Sequence, residues 1–326
     1  MKKHVIMSLA ALSLVVPMTS CSNSDLYTIG ILEYITQDAL EAVRNGFVSQ
    51  LKEKGYEDGK NISIQYQNPE ANASTQTTMA SKLARECDLV FGIATLSAVA
   101  LKTAVDDASK DIPVVYSACT DPVGAGLITS VTDHANVIGT SDAGPTKKNI
   151  ELFTKFKDAD NHDIEKIGII YSTAESNSIV QFHEAQAACS ELGITLIDGG
   201  FSDSTMINST VNNLISQGIK GLFVPTDNAA AASMVSIKDS LISNKILTVC
   251  ADEGETKNGG SLGYSVSYSN LGKTTGDMVA SLISGTDIAD ITCSYSSSFP
   301  LVINEDFFTE TGIVLPDEIP DNVSMN

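Results

Sequence analysis

The sequence predicts an α/β fold of two doubly wound, parallel-sheet lobes joined by a multi-strand hinge. Short β-branched runs alternate with longer amphipathic stretches, which is the pattern of repeated βαβ units. The alternation falls into two series, one on each side of a stretch at 141–145 that contains Gly144 and Pro145. Behind the first 21 residues about 305 remain, enough for two domains of ordinary size, each with its own core.

In the first series, strand 27–32 precedes helix 39–54, strand 62–66 precedes helix 76–85, strand 89–93 precedes helix 98–108, and strand 113–116 follows. Leu40, Val43, Phe47 and Leu51 place one apolar stripe along the first helix. Gly55 then ends that helix as a left-handed cap. The second series runs through helix 146–156, strand 166–171, helix 178–192, strand 195–197, helix 205–216, strand 221–225, helix 229–243 and strand 247–250. A further strand at 263–266 and a helix at 271–284 come after that series is complete, and they are expected to cross back to the first lobe. Lobe 1 is therefore expected at 26–142 plus about 252–292, and lobe 2 at 143–251 plus about 293–326, with 141–145 as a hinge and a ligand cleft between the lobes.

Lys2 and Lys3 precede an apolar run at 5–16, and Met18-Thr19-Ser20-Cys21 closes the segment. This reads as a secretory signal; the run of about a dozen residues is shorter than the roughly 20 that span a bilayer. A cysteine directly after small residues resembles the bacterial lipobox, in which the thiol receives a lipid and becomes the new N-terminus. The mature protein is then expected outside the cytoplasmic membrane, tethered through Cys21; the alternative is an ordinary cleaved signal with Cys21 incidental.

With 43% hydrophobic residues, 23 Gly, 9 Pro and no low-complexity tract, the composition is globular. The formal charge is −20, and loss of Lys2 and Lys3 takes it to −22. Such a chain repels phosphate backbones and anionic lipid, so nucleic acid is excluded as a partner and the covalent lipid is the plausible membrane anchor. Cys87, Cys119, Cys189, Cys250 and Cys293 are an odd, widely spaced set, which argues for buried thiols and against a disulfide framework.

No C-x-x-C or H-E-x-x-H occurs, so no metal and no cofactor is expected. The string Gly139-Thr140-Ser141-Asp142-Ala143 lacks the last glycine of a nucleophile elbow. Gly272-Lys273-Thr274 has Ser267 where a phosphate loop needs glycine. No enzymatic chemistry is expected.

Ligands of open parallel sheets bind at the carboxyl ends of the strands. The loops there carry Glu33, Tyr34, Thr95, Thr120, Asp121, Ser176, Asn177, Ser178, Thr226, Asp227, Asn228 and Asp252, with Asp142 at the hinge. Two lobes offering such loops across a cleft describe a small-molecule clamp. Ser176, Asn177 and Ser178 open a helix, where free backbone N–H groups suit a carboxylate, or they simply cap it. A carboxylate that converges on the cleft holds an ammonium, Asp227 being the first choice and Asp252 the second. Asp121 before Pro122 suits an Asx turn, Glu33 a solvated loop, and Tyr34 stacking on a flat side chain.

At these loops the chain resembles the tryptophan/tyrosine-type substrate-binding lipoproteins of bacterial ABC importers. The stretches that carry the likeness are Ile29-Gly30-Ile31-Leu32, Ala42-Val43-Arg44-Asn45-Gly46-Phe47, Gly59-Lys60-Asn61-Ile62, Thr120-Asp121-Pro122-Val123-Gly124-Ala125-Gly126-Leu127, Glu175-Ser176-Asn177-Ser178, Val224-Pro225-Thr226-Asp227-Asn228 and Asp252-Glu253-Gly254. The resemblance implies a type I periplasmic-binding fold that closes on a small amino acid, aromatic ones such as Trp, Tyr or Phe favoured. It also implies a permease and an ATPase on other chains, with the binding protein itself a monomer. A ligand-sensing domain for a receptor partner, or an extracytoplasmic enzyme of the same architecture, are the alternatives.

Overall fold

The computed structural model describes residues 26–316 and 323–325. In the first half of the chain β1 (Tyr27–Glu33), α1 (Asp38–Glu53), β2 (Ile62–Gln67), α2 (Ala73–Glu86), β3 (Leu89–Ile93), α3 (Thr95–Asp107), β4 (Val114–Ser117) and β5 (Val137–Ser141) follow one another. The second half adds α4 (Thr146–Leu152), β6 (Lys166–Ser172), α5 (Ser176–Leu192), β7 (Thr195–Phe201), α6 (Ile207–Ser216), β8 (Gly221–Val224), α7 (Asn228–Ser243), β9 (Leu247–Cys250), α8 (Glu253–Lys257) and β10 (Leu262–Tyr264). Then come α9 (Tyr268–Ile283), β11 (Ser294–Tyr295), β12 (Leu301–Ile303), α10 (Glu305–Thr311) and β13 (Val323–Met325).

Two sheets result, in the orders β11-β5-β4-β3-β1-β2 and β13-β12-β10-β9-β8-β6-β7. Every pairing is parallel except β10 with β12. The central strands are buried along their whole length, as Leu-Val-Phe-Gly-Ile of β3 is, because helices cover both faces. In register Glu33 pairs with Ile93, and Ile93 with Ser117, so β1, β3 and β4 end level and their loops share one edge. The second sheet aligns its strand ends in the same way, with Val224 beside Cys250. The five cysteines among the described residues are free and buried.

The chain passes between the sheets three times, at 142–145, 265–267 and 296–300. Two of these segments are bonded to each other, Ser265 N donating to Pro300 O at 3.2 Å. The expected lobe boundaries therefore move. Residues 252–264, placed with lobe 1 from the sequence, belong to the second sheet, where β10 pairs with β9 and β12. Conversely Ser294 and Tyr295, placed with lobe 2, pair with β5 of the first sheet. The reason for the first shift is local: a Cβ on Gly263 would lie 1.7 Å from Cys250 O, so the glycine lets β10 lie close against β9. The crossing to lobe 1 begins only after Tyr264, whose N–H and C=O are both held by the Asn149 side chain of α4 at 2.7 and 3.0 Å. The sequence reading assigns no strand at β5, of which only Ser141 falls in the expected hinge, and β11 and β12 are too short to show a period.

Helix α9 docks on α1 of lobe 1, with Tyr268, Leu271, Thr275 and Val279 turned inward. The contact is backbone-close. A Cβ on Gly272 would sit 2.0 Å from Val43 O, and one on Gly46 would sit 2.3 Å from Ser269 O. A Gly→Ala change in an open helix interior stabilises by about 0.5–1 kcal/mol. Gly272→Ala is expected instead to destabilise by about 1–3 kcal/mol through overpacking, read as a lower urea midpoint; a neutral or raised midpoint would contradict the close approach.

Candidate functional site

The loops at the carboxyl ends of both sheets face each other across one cleft. Lobe 1 lines it with Gln37, Leu40, Ala118, Thr120, Asp142 and Tyr268; lobe 2 answers with Asn177, Thr226, Asp227, Asn228 and Asp252. The space left between them is about 10 Å³, room for about one water. Polar contacts join the lobes directly: Gln37 Nε2 to Asn228 Oδ1 at 3.3 Å, Thr120 Oγ1 to Thr226 Oγ1 at 3.3 Å, and Asn258 Nδ2 to Asp38 Oδ2 at 2.9 Å.

Of the residues expected at the site, Thr120, Asp142, Asn177, Thr226, Asp227, Asn228 and Asp252 meet there. Asp142 accepts from Thr120 Oγ1 at 3.0 Å and from Tyr268 OH at 3.2 Å. Asn177 donates Nδ2 to Thr226 O at 2.9 Å, which leaves its buried Oδ1 unpartnered. Asp227 gives one oxygen to Ala230 N at 2.8 Å, capping α7, and the other to Ser172 N at 2.5 Å. Asp252 caps α8 at Gly254 N and Glu255 N. Ser178 is buried beside Asn177 and accepts from its Nδ2 at 3.3 Å. Tyr34 is buried, its hydroxyl pushed up to about 12 by burial and by the carboxyls of Glu175 and Asp227 across the interface.

Ser178 and Tyr34 do not themselves line the cleft, and neither do Glu33, Asp121, Thr95 and Ser176. Glu33 is buried rather than solvated and pairs with Arg44 Nη1 at 2.7 Å, the guanidinium lying over the Tyr66 ring. Burial raises its carboxyl to about 7 against the pull of Arg44. Asp121 forms a turn, accepting from Gly124 N at 2.8 Å. Thr95 is buried at the start of α3 behind the loop, and Ser176 is exposed on the first turn of α5.

Sequence reasoning missed Gln37, Glu175, Gln181, Glu255 and Tyr268. Glu175 accepts from Asn228 Nδ2 at 2.6 Å and from Ala229 N at 3.2 Å. Gln181 holds the loop through Thr226, accepting from its N–H at 3.1 Å and donating to its Oγ1. A signal existed for Gln181: it stands four residues after Asn177, so two polar side chains share one helix face that is otherwise turned to the core.

Five carboxyl groups, Asp142, Glu175, Asp227, Asp252 and Glu255, are buried at or beneath this cleft. Among the described residues none of them is in an ion pair, and no Lys or Arg lines the cleft. Burial raises them all, Glu175 to about 8 with a contribution from Asp227, and Asp252 to about 7. Neither oxygen of Glu255 has a hydrogen-bond partner. The arrangement is rich in acceptors and suits a cationic group. Elsewhere Asp158, Asp160 and His162 cluster closely enough for an ion, but Lys220 already stands 3.6 and 3.9 Å from the two aspartates.

The profile of ABC transporter substrate-binding proteins matches residues 28–324. The chain belongs to that family. It is 33% identical over 280 residues, 85% of its length and 79% of the relative's, to the tyrosine-binding protein of Clostridioides difficile. Among solved structures it is similar to an ABC domain from Streptococcus pneumonia in complex with L-Trp, with a TM-score of 0.84, 29% identity, and coverage of 92% of this chain and 99% of that one. A ligand-free, open substrate-binding protein with adhesive properties from Clostridium difficile is more alike in sequence, at 33% over the same shares, yet its TM-score is 0.68. In this chain the two lobes meet directly, with little space left between them. Proteins of the family bind small-molecule ligands outside the cytoplasm and work with ABC permeases. No helix among the described residues is long and apolar enough to cross a membrane.

The buried carboxyls make stability depend on pH. Asp252 and Glu175 take up protons more readily in the folded chain than at their ordinary values of 3.8 and 4.5. Their favourable contribution is therefore complete below about pH 4 and is lost as pH rises through about 7 to 8. Urea midpoints of the ligand-free protein are expected to fall between pH 5 and 8, and Asp252→Asn to flatten that slope; an unchanged slope in the variant would refute the shift.

Proposed function

We propose that this chain is the extracytoplasmic receptor of an ABC importer that closes its two lobes on an aromatic amino acid. The observation that carries this is the buried, acceptor-rich, cation-free lining of the cleft, which calls for an ammonium. Asp142, Asp227, Asp252 and the unpartnered Asn177 Oδ1 line the cleft, Asp227 and Asp252 each capping a helix as well. For the ligand carboxylate the start of α5 is suited. Asp227 and Asp252 already cap α7 and α8, whereas α5 has no side-chain cap and its first N–H groups remain available. Leu40, Ala118 and the Tyr268 ring offer the apolar wall that a flat side chain needs. A tyrosine-binding relative and a tryptophan-bound neighbour support the aromatic class.

In this reading the protein performs no catalysis and uses no cofactor. It acts as a monomer, presents its ligand to a permease driven by an ATPase on other chains, and is held to the membrane by lipid on Cys21, which lies outside the described residues.

With protein lacking residues 1–21, tyrosine, tryptophan or phenylalanine is expected to raise the melting temperature. Ligand at 100 times Kd stabilises by about 2.7 kcal/mol, so the shift is readily measured; no response to any of the twenty amino acids would sink the proposal. Asp142→Asn and Asp252→Asn should each weaken binding at least about tenfold, the scale of a lost charge-assisted bond. An analogue without the amino group, 3-(4-hydroxyphenyl)propionate, should not bind. Cys21→Ser in the full chain is expected to release the protein from membranes on fractionation, and continued retention would reject the lipid anchor.

A further inference from the structure

Gln181 lies on α5 in lobe 2, buried, and does not line the cleft. Its two amide arms both reach Thr226. The backbone N–H of Thr226 can only donate, so the arm it meets at 3.1 Å is Oε1, and the other arm, Nε2, donates to Thr226 Oγ1. A hydroxyl that accepts there still has its one hydrogen to give. The group facing it is Thr120 Oγ1 of lobe 1, 3.3 Å away. Thr120 in turn gives its own hydrogen to Asp142 Oδ1 at 3.0 Å, and Tyr268 OH donates to Oδ2 at 3.2 Å. With Asp142 the acceptor in both bonds, Thr120 has no hydrogen left for Thr226 and accepts from it.

We propose that Gln181 is a positioning residue for lobe closure: by donating to Thr226 it turns that hydroxyl toward lobe 1 and completes a one-way hydrogen-bond chain, Gln181 to Thr226 to Thr120 to Asp142. All four members are buried, so each donor without an acceptor, or two lone pairs set face to face, would be costly there. The polarity of the inter-lobe contact is thus decided by a side chain that does not line the cleft and whose hydrogen bonds go to Thr226 of its own lobe. The proposal is independent of which ligand the cleft takes.

Substitutions that change polarity without changing size test it. In Gln181→Glu a carboxylate accepts from both the N–H and the hydroxyl of Thr226. That hydroxyl then turns away from Thr120, leaving two oxygens opposed with no hydrogen between them. Gln181→Met removes the orienting bond without reversing it. Because the native cysteines within the described residues are buried, spin labels on cysteines introduced at exposed Lys60 in lobe 1 and Val235 in lobe 2, in protein lacking residues 1–21, report the lobe separation alone, without ligand.

Wild type is expected to show a population at short separation. Gln181→Glu should lower the closed-to-open ratio about fivefold, the scale of one net hydrogen bond, with Gln181→Met lowering it less. Thr120→Val should lower the ratio by a similar factor. Since the contact is already lost in that background, adding Gln181→Glu should lower it no further. Thr226→Ser, which keeps the hydroxyl, should behave as wild type and Thr226→Val should not. A wild-type protein with no short-separation population would overturn the proposal, as would an unchanged ratio in both Gln181→Glu and Gln181→Met or strictly additive effects with Thr120→Val. Should Gln181→Glu not fold, the Gln181→Met and Thr120→Val pair supplies the same cycle.

Discussion

Bringing five carboxyl groups out of water with no basic partner among the described residues is the constraint around which this molecule is arranged. An isolated buried charge is too costly to leave uncompensated, so the groups either hold their protons or collect hydrogen bonds. The loops at the strand ends supply those bonds. Asp227 and Asp252 accept from the first amides of α7 and α8, Glu175 accepts from Asn228 and Ala229 at the start of α7, and Asp142 accepts from a threonine and a tyrosine. Helix starts point at the cleft because each helix follows a parallel strand, so the fold itself delivers N–H groups to the place where acids gather.

The two lobes are bound into one body at a second place, away from the cleft. Three crossings connect the sheets, and the helix that follows one of them, α9, is set against α1 through glycines that allow backbone contact. The Tyr268 ring at the first turn of α9 reaches Asp142, which itself follows directly on β5 and the first crossing. The floor of the cleft and the hinge therefore share residues, and movement at one is felt at the other.

The lobes were legible in the sequence because long alternating series leave strong periodic signals, and the loops at strand ends were legible because the topology puts them there. What could not be read was where a loop side chain turns. Thr226, Asp227 and Asn228 face the cleft, whereas Asp121, in an equally polar loop, folds back onto Gly124, and Glu33 is taken by Arg44 from a helix eleven positions on. Glu175 and Gln181 went unread for a related reason: their partners lie 45 to 54 residues away, and the one local sign, the helix-face spacing of Gln181 from Asn177, does not name them. The lobe boundary was misjudged because β10 to β12 have two or three residues each, and their sheet is decided by close approach at Gly263 and by the grip of Asn149, both tertiary facts.

The late crossing to α9 bears on the order in which the chain can fold during synthesis. Residues 27–141 contain five strands of the first sheet, yet α1 lies bare along one side until Tyr268–Ile283 arrives, and β5 has an open edge until Ser294 does. The whole of lobe 2 up to β10 is made in between. Lobe 2 likewise waits for β12 to cover the edge of β10. Neither lobe can reach its final core until nearly the entire polypeptide has been made, and contacts of such long sequence separation fold slowly. Completion of both lobes is thereby tied to the last segments of the chain.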